Sequence, residues 1–192
     1  MFGRTDVLVL PGLAAGDLST AAIRSSLAAQ GHRVHRWNLG RNHPTPELHD
    51  ALKSRFFDLI EQCKRPIALV GWSLGGLYAH RLATFAPHDV RCVITMGSPL
   101  NGSRDELASL DVPTTSIYTR SDRIVPWTRS VVDVREPRHE NIEVRSTHVT
   151  LGIDPFVLLV IGDRVRTDPD RWKPFRAPPL LGGAYPQPPD AR

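Results

Sequence analysis

Lysine is nearly missing from this sequence: Lys53, Lys64 and Lys173 are its only representatives, and arginine supplies the rest of the 24 basic residues. The net charge of +4 is scattered, with no basic run and no stripe along one helix face. A nucleic-acid footprint would be clustered, so no nucleic-acid partner is expected. Cysteine is as scarce. Cys63 and Cys92 stand far apart in no CxxC or Cys/His ligand spacing, which predicts idle or buried thiols and neither a disulfide framework nor a metal site. With no disulfide pattern and no secretory leader in Met1–Leu10, a cytoplasmic location is the default expectation. Apolar runs such as Ile67–Leu69 and Phe156–Ile161 fall far short of the ~20 residues that span a bilayer, so no transmembrane segment is expected. There is no internal repeat. G-x-G-x-x-G and Gly-Lys-Ser/Thr are both absent, which argues against a nucleotide cradle.

What is present is 192 residues, 41% hydrophobic and 23% charged, enough for one domain with a substantial core. Short β-branched runs alternate with longer stretches of helical period, the pattern of a parallel sheet with helices on both faces. Six strands are expected, at Asp6–Leu10, Arg33–Asn38, Pro66–Gly71, Arg91–Gly97, Thr114–Thr119 and Asn141–Thr147. Ala68-Leu69-Val70 in the third and Val93-Ile94-Thr95-Met96 in the fourth read as buried on both faces, so these two strands should be central. Helices are expected over Leu18–Gln30, with Asp17 as its N-cap and Gly31 as its stop, from Pro46 onward, over Leu74–Phe85 and over Pro155–Arg166, the last turning Phe156, Leu159 and Val160 inward. Residues 1–172 read as one domain. Residues 173–192, with six prolines and no periodicity, read as a Pro-rich tail expected to be frayed, with Leu180 and Leu181 able to dock it.

Gly71-Trp72-Ser73-Leu74-Gly75 follows a buried strand and opens a helix, the context in which G-x-S-x-G is a nucleophile elbow. The turn is too tight for side chains at the two glycines, and the serine hydroxyl projects at a helix N-terminus whose field favours a developing oxyanion. A serine hydroxyl needs a base to take its proton and an acid to orient that base, and in this arrangement they follow in the order Ser, Asp, His. Sites of such sheets lie beyond the carboxyl ends of the strands. That filter selects His148, just after the sixth expected strand, over His139, which precedes it. It also selects Asp122, just after the fifth, over Asp105, Glu106, Asp111, Asp133, Glu136 and Glu140. The oxyanion donors should be the N–H of Leu74 and, from the loop Leu10–Asp17, the N–H of Leu13, with Ala14 as the fallback.

These stretches, together with Met96-Gly97-Ser98-Pro99, Ser121–Trp127 and Ser146-Thr147-His148, resemble the serine-dependent α/β-hydrolase superfamily, in particular its bacterial lipase- and esterase-like members. The resemblance covers most of the chain. It implies an α/β-hydrolase fold of about six mostly parallel strands, Ser73, Asp122 and His148 as catalytic triad, and Leu13 with Leu74 as oxyanion hole. Trp172-Lys173-Pro174-Phe175 also looks like a terminator found in related hydrolases. Two features depart from it: Pro11 stands where many relatives have a histidine, and only Ser98–Val112 separates the fourth strand from the fifth, leaving no room for a cap domain. A lidless site open to water is the expectation.

On that fold Ala14, Trp72, Leu100, Ile124, Val125, Trp127, Val149 and Leu151 would surround the nucleophile as substrate-binding residues, most of them apolar, suiting an acyl chain or aromatic acid. The implied reaction is ester hydrolysis through an acyl-enzyme on a small-molecule or lipid ester, without a metal or organic cofactor. Other readings of the same residues are an acyltransferase or perhydrolase, a peptidase, and a non-catalytic ligand-binding protein on a hydrolase fold.

Overall fold

The computed structural model describes residues 4–100 and 110–186. Its strands are β1 (Asp6–Leu10), β2 (Arg33–His35), β3 (Ile67–Trp72), β4 (Val90–Met96), β5 (Thr114–Tyr118) and β6 (His139–Glu143). They form one sheet in the order β2-β1-β3-β4-β5-β6, parallel at every pairing. One row of partners, Val9, Val70, Ile94, Thr115 and Glu140, crosses it from β1 to β6. The apolar β3 and β4 take the centre, as strands buried on both faces must.

Four α-helices cover the sheet: α1 (Ala21–Ala29), α2 (Pro46–Cys63), α3 (Leu74–Phe85) and α4 (Pro155–Arg166). Alternate strand residues face opposite sides. Val7, Val9, Ala68 and Val70 belong to a core with Ile23 and Leu27 of α1 and Val157, Val160 and Ile161 of α4. Leu8, Leu10, Ile67 and Leu69 belong to a second core with Leu52, Phe56 and Leu59 of α2 and Tyr78, Ala79 and Leu82 of α3. Thr45 caps α2 by accepting the Leu48 N–H, and Asp154 caps α4 by accepting those of Phe156 and Val157; each helix has proline next, where no N–H is needed. No described helix is long and apolar enough to cross a membrane, and no cap domain occurs among the described residues.

Several expectations are corrected. Asp17 does not cap α1: its carboxylate accepts the backbone N–H groups of Trp37 and Asn38 at 2.9 and 3.1 Å, with a short 3-10 turn at Asp17–Thr20 leading into the helix. That capture, with Asn38 at φ 58°, ends β2 at His35 and turns the Trp37 ring into the core. β6 begins at His139, two residues before the expected start, because His139 pairs with Thr114 and its ring is held by the Leu110 carbonyl at 3.0 Å. On α4 the inward residues include Val157 and Ile161, while Leu159 stays half-buried.

The expected fraying of the tail does not occur through residue 186. Phe175, Ala177, Leu181 and Ala184 pack on the α1/α4 core, and Tyr185 is buried with its hydroxyl donating to the Phe156 carbonyl at 3.0 Å. Glu140 accepts the Phe175 N–H at 2.7 Å, and Arg164 donates to Glu140 and to the Lys173 carbonyl at 3.1 and 2.6 Å. Leu180, offered as an anchor, is 97% exposed. Residues 187–192 and the expected loop 101–109 lie outside the described residues.

The strand order reverses between β1 and β3, since β2 lies to one side of β1 and β4 to the other side of β3. A crevice opens beyond the carboxyl ends of two such strands. The Pro11–Gly12 turn follows one of them and Ser73 the other.

Candidate active site

Ser73 lies between β3 and α3 with φ 53° and ψ −122°, a conformation that costs a non-glycine residue of order 1–3 kcal/mol and persists only when its surroundings enforce it. The enforcement is visible. A Cβ on Gly71 would run into the backbone of Gly75 and Gly76, and one on Gly75 would lie 2.7 Å from the Pro11 carbonyl oxygen. The elbow is thus clamped between its own helix and the end of β1. The Ser73 N–H donates to the Met96 carbonyl at 2.8 Å, tying the elbow to β4.

His148 and Asp122 meet on the other side of Met96–Gly97. His148 Nδ1 lies 2.6 Å from Asp122 Oδ2, and both side chains are buried. The second carboxylate oxygen accepts the N–H groups of Ile124 and Val125 at 2.9 and 2.8 Å. Asp122 is therefore fixed by its own loop and presents one oxygen to the imidazole. Thr119 Oγ1 donates to the Ser146 carbonyl at 2.8 Å and joins the loop carrying Asp122 to the loop carrying His148.

Trp72, beside the nucleophile, donates its indole N–H to the His148 carbonyl at 3.1 Å. Elbow and base loop are thereby joined directly. Gly97, at φ 52°, lies under the pair: a Cβ there would sit 3.0 Å from Asp122 Oδ2, 3.1 Å from His148 Nδ1 and 2.9 Å from Leu151. Only glycine combines that left-handed backbone with that approach.

The first loop lies against Ser73, since a Cβ on Gly12 would be 3.3 Å from its Cβ and 3.9 Å from its Oγ. The Ala14 N–H is engaged, donating to the Asn42 carbonyl at 2.8 Å, while the Asn42 amide donates to the Pro11 carbonyl at 2.8 Å. No described acceptor takes the Leu13 N–H. Leu74 is the first residue of α3, where the backbone N–H has no intrahelical acceptor.

The eight expected substrate contacts divide by burial. Ala14, Ile124 and Val149 are exposed around the crevice, together with Leu13, itself 62% exposed. Leu100 and Leu151 are enclosed in protein, and Val125 is buried beside its bond to Asp122. Trp72 is committed to His148, and Trp127 stacks on Tyr118 at 5.8 Å with the Arg120 guanidinium 4.5 Å from its ring. A polar concavity of about 570 Å³ lies beside the acid and base loops, lined by Thr119, Arg120, Glu143, Ser146, Thr147 and Thr150, and its lining does not include Ser73. Sequence reasoning did not single out Asn42, Thr119 or the contact role of Gly97. Only Gly97 carried a signal, as the glycine at the end of a buried strand.

With this geometry in view, the comparisons assign the class of protein: the chain belongs to the alpha/beta hydrolase family, which matches residues 7–191. No curated protein matches the sequence. Among solved structures, the monoacylglycerol lipase of Paleococcus ferrophilus superposes with a TM-score of 0.71 at 15% identity, covering 86% of this chain and 96% of that one. Lipase B of Aspergillus fumigatus gives 0.69 at 17% identity, covering 87% of this chain and 54% of that one. An esterase domain from Rhodothermus marinus gives 0.67 at 19% identity, covering 84% of this chain and 86% of that one. At such identities the likeness is one of fold.

Proposed function

We propose that the protein is a serine carboxylic-ester hydrolase acting on short- to medium-chain or aromatic esters. The observation that carries this reading is the pairing of a strained Ser73 at the elbow with a buried His148–Asp122 contact of 2.6 Å at the same sheet edge. The likeness of fold to a monoacylglycerol lipase and to an esterase domain supports the ester class.

In the proposed cycle Ser73 Oγ attacks the ester carbonyl carbon while His148 Nε2 takes the hydroxyl proton. Asp122, ionised and held by two loop N–H groups, keeps the other ring proton on Nδ1 and steadies the imidazolium. The tetrahedral oxyanion receives the N–H groups of Leu13 and Leu74. Collapse expels the alcohol, which leaves with the proton from His148. Water then attacks the acyl-enzyme, giving one proton to His148, and collapse to the acid breaks the bond to Ser73 Oγ, which takes that proton back from His148.

Exposed Leu13, Ile124 and Val149 stand on the loops after β1, β5 and β6 and offer the acyl group an open apolar surface. That openness favours water as the acceptor over an added alcohol or peroxide. Turnover of p-nitrophenyl acetate, butyrate and palmitate by wild type and Ser73→Ala tests the reading. Wild type should prefer the shorter esters, and Ser73→Ala should lose at least ~10⁴-fold in kcat. Equal turnover by both proteins would remove Ser73 from the chemistry.

A further inference from the structure

At the opposite edge of the sheet three donor atoms converge from three elements. Asp6 opens β1, His35 closes β2 and Cys63 ends α2. His35 Nε2 lies 2.8 Å from Asp6 Oδ1 and 3.7 Å from Cys63 Sγ, and the three donor atoms all fall within 4.8 Å of one another. The carboxylate is 1% exposed and the imidazole 13%. Arg65, just before β3, holds the other oxygen of Asp6 through Nε at 2.8 Å and through Nη2, which fixes Oδ1 toward His35 and Cys63.

One nitrogen faces two partners here. A ring nitrogen either carries a proton or has a free lone pair, so Nε2 donates to Asp6 or accepts from the Cys63 thiol, never both; without an ion the Asp6 carboxylate takes hydrogen bonds from both neighbours. A cation bound at the centre would engage carboxylate, imidazole and thiolate together. From these observations we infer that Asp6, His35 and Cys63 form a binding site for one divalent cation of the zinc class, with the fourth position left to water.

The donor set suits that class, since imidazole and thiolate beside a carboxylate select a borderline-soft ion over magnesium or calcium. The geometry is close. With metal–sulfur near 2.3 Å and metal–nitrogen or metal–oxygen near 2.0–2.2 Å, tetrahedral donors lie roughly 3.3–3.6 Å apart. The His35–Cys63 separation is already near that range, and the Asp6–His35 separation must open by about half an ångström. The nearest opposing charge is Arg65, which stays on the far oxygen, Oδ2, of Asp6; Arg33 Nε, 3.9 Å from Oδ1, belongs to a side chain that is 58% exposed and free to swing outward. The ion would fasten β1, β2 and the end of α2 together. It would take no part in the chemistry at Ser73, which lies beyond the carboxyl ends of the strands.

The test uses the full chain, stripped of metal by a chelator and titrated with Co²⁺ and then Zn²⁺. The expected result is one equivalent of Co²⁺ with a near-ultraviolet sulfur-to-cobalt charge-transfer band, displaced stoichiometrically by Zn²⁺. Cys63→Ser should abolish the band, and Cys63→Ser and His35→Gln should each weaken Zn²⁺ binding by more than ~100-fold, since losing a ligand costs more than losing a group that merely orients one. Cys92→Ala should keep the band, and Ser73→Ala should bind like wild type, separating this site from the hydrolytic reading. Circular dichroism establishes that each variant is folded. Absence of the band in wild type, or its survival in folded Cys63→Ser, would overturn the inference, and the wild-type titration decides even if a variant fails to fold.

Discussion

Replacing Asp122 by Asn changes one atom and should nearly silence the enzyme, for a reason the carboxylate's contacts supply. Oδ1 is committed to the N–H groups of Ile124 and Val125, and Oδ2 faces His148 Nδ1 at 2.6 Å. An asparagine has one oxygen, and its amide NH₂ cannot accept the two loop N–H groups. The oxygen therefore stays with the loop and the NH₂ points at His148 Nδ1. That nitrogen must then accept, which moves the ring proton to Nε2, the atom that receives the proton of Ser73 in the proposed cycle. An inverted tautomer of this kind costs on the order of 10⁴ in kcat, or about 5.5 kcal/mol in the barrier. KM for p-nitrophenyl butyrate should hardly move, and because the loop bonds survive, stability should fall by less than about 1 kcal/mol in urea. Asp122→Ala, which also strands the two loop donors, should lose activity and an additional ~1–3 kcal/mol of stability. A folded Asp122→Asn protein keeping more than a tenth of wild-type kcat would refute the assignment of Asp122 as the group that orients the base.

Three other perturbations have defined outcomes. Gly97→Ala places a methyl 3.0 Å from Asp122 Oδ2 and 3.1 Å from His148 Nδ1 at a left-handed φ, so kcat should drop by ~10²-fold and stability by ~1–2 kcal/mol; unchanged kcat would mean the pair tolerates displacement. Removing residues 173–192 strips Phe175, Leu181 and Tyr185 from the core and leaves Glu140 and Arg164 short of partners, so urea denaturation should show a loss of at least ~3 kcal/mol; equal stability would make the segment dispensable. His80 is buried, its Nδ1 has no partner, and burial followed by repulsion from His139 pushes its pKa down to about 4. As pH falls from about 6.5 toward 4 the unfolded chain takes up a proton that the folded chain refuses, so stability declines across that window by up to roughly 3 kcal/mol. His80→Gln should flatten the decline measured by urea melts at several pH values, and an undiminished slope would place its origin elsewhere.

The parts of the fold that follow from local periodicity could be read directly. β1, α3 and α4 begin and end as expected because a buried apolar run, a two-glycine elbow and an Asp-Pro start are short-range signals. The meeting of Asp122 and His148 was equally legible, since chain order and the carboxyl-edge filter need only strand positions good to a few residues. His148 follows the shortened β6 by five residues, and still lies beyond its carboxyl end. What failed depended on distant partners. Asp17 has the look of a helix cap, and only the fold reveals Trp37 and Asn38 as better claimants to its carboxylate. Residues 173–186 have no period because the two aromatics that anchor them, Phe175 and Tyr185, meet edge to face from opposite ends of an irregular segment, so a composition rich in proline conceals their packing. Cys63 likewise lies in no ligand spacing, because it ends a helix and its neighbours His35 and Asp6 arrive from two strands. The enclosed positions of Leu100 and Leu151 belong to the same group, since an apolar residue near a strand end can face either ligand or core.

The most direct test of the hydrolytic assignment is intact mass after treatment with an alkyl fluorophosphonate, compared between wild type and Ser73→Ala. Wild type should gain one stoichiometric adduct, mapped by peptide sequencing to Ser73, and Ser73→Ala should gain none. An unmodified wild type, or an adduct of equal yield on Ser73→Ala, would contradict an activated serine at the elbow and leave the chain a hydrolase fold without this chemistry.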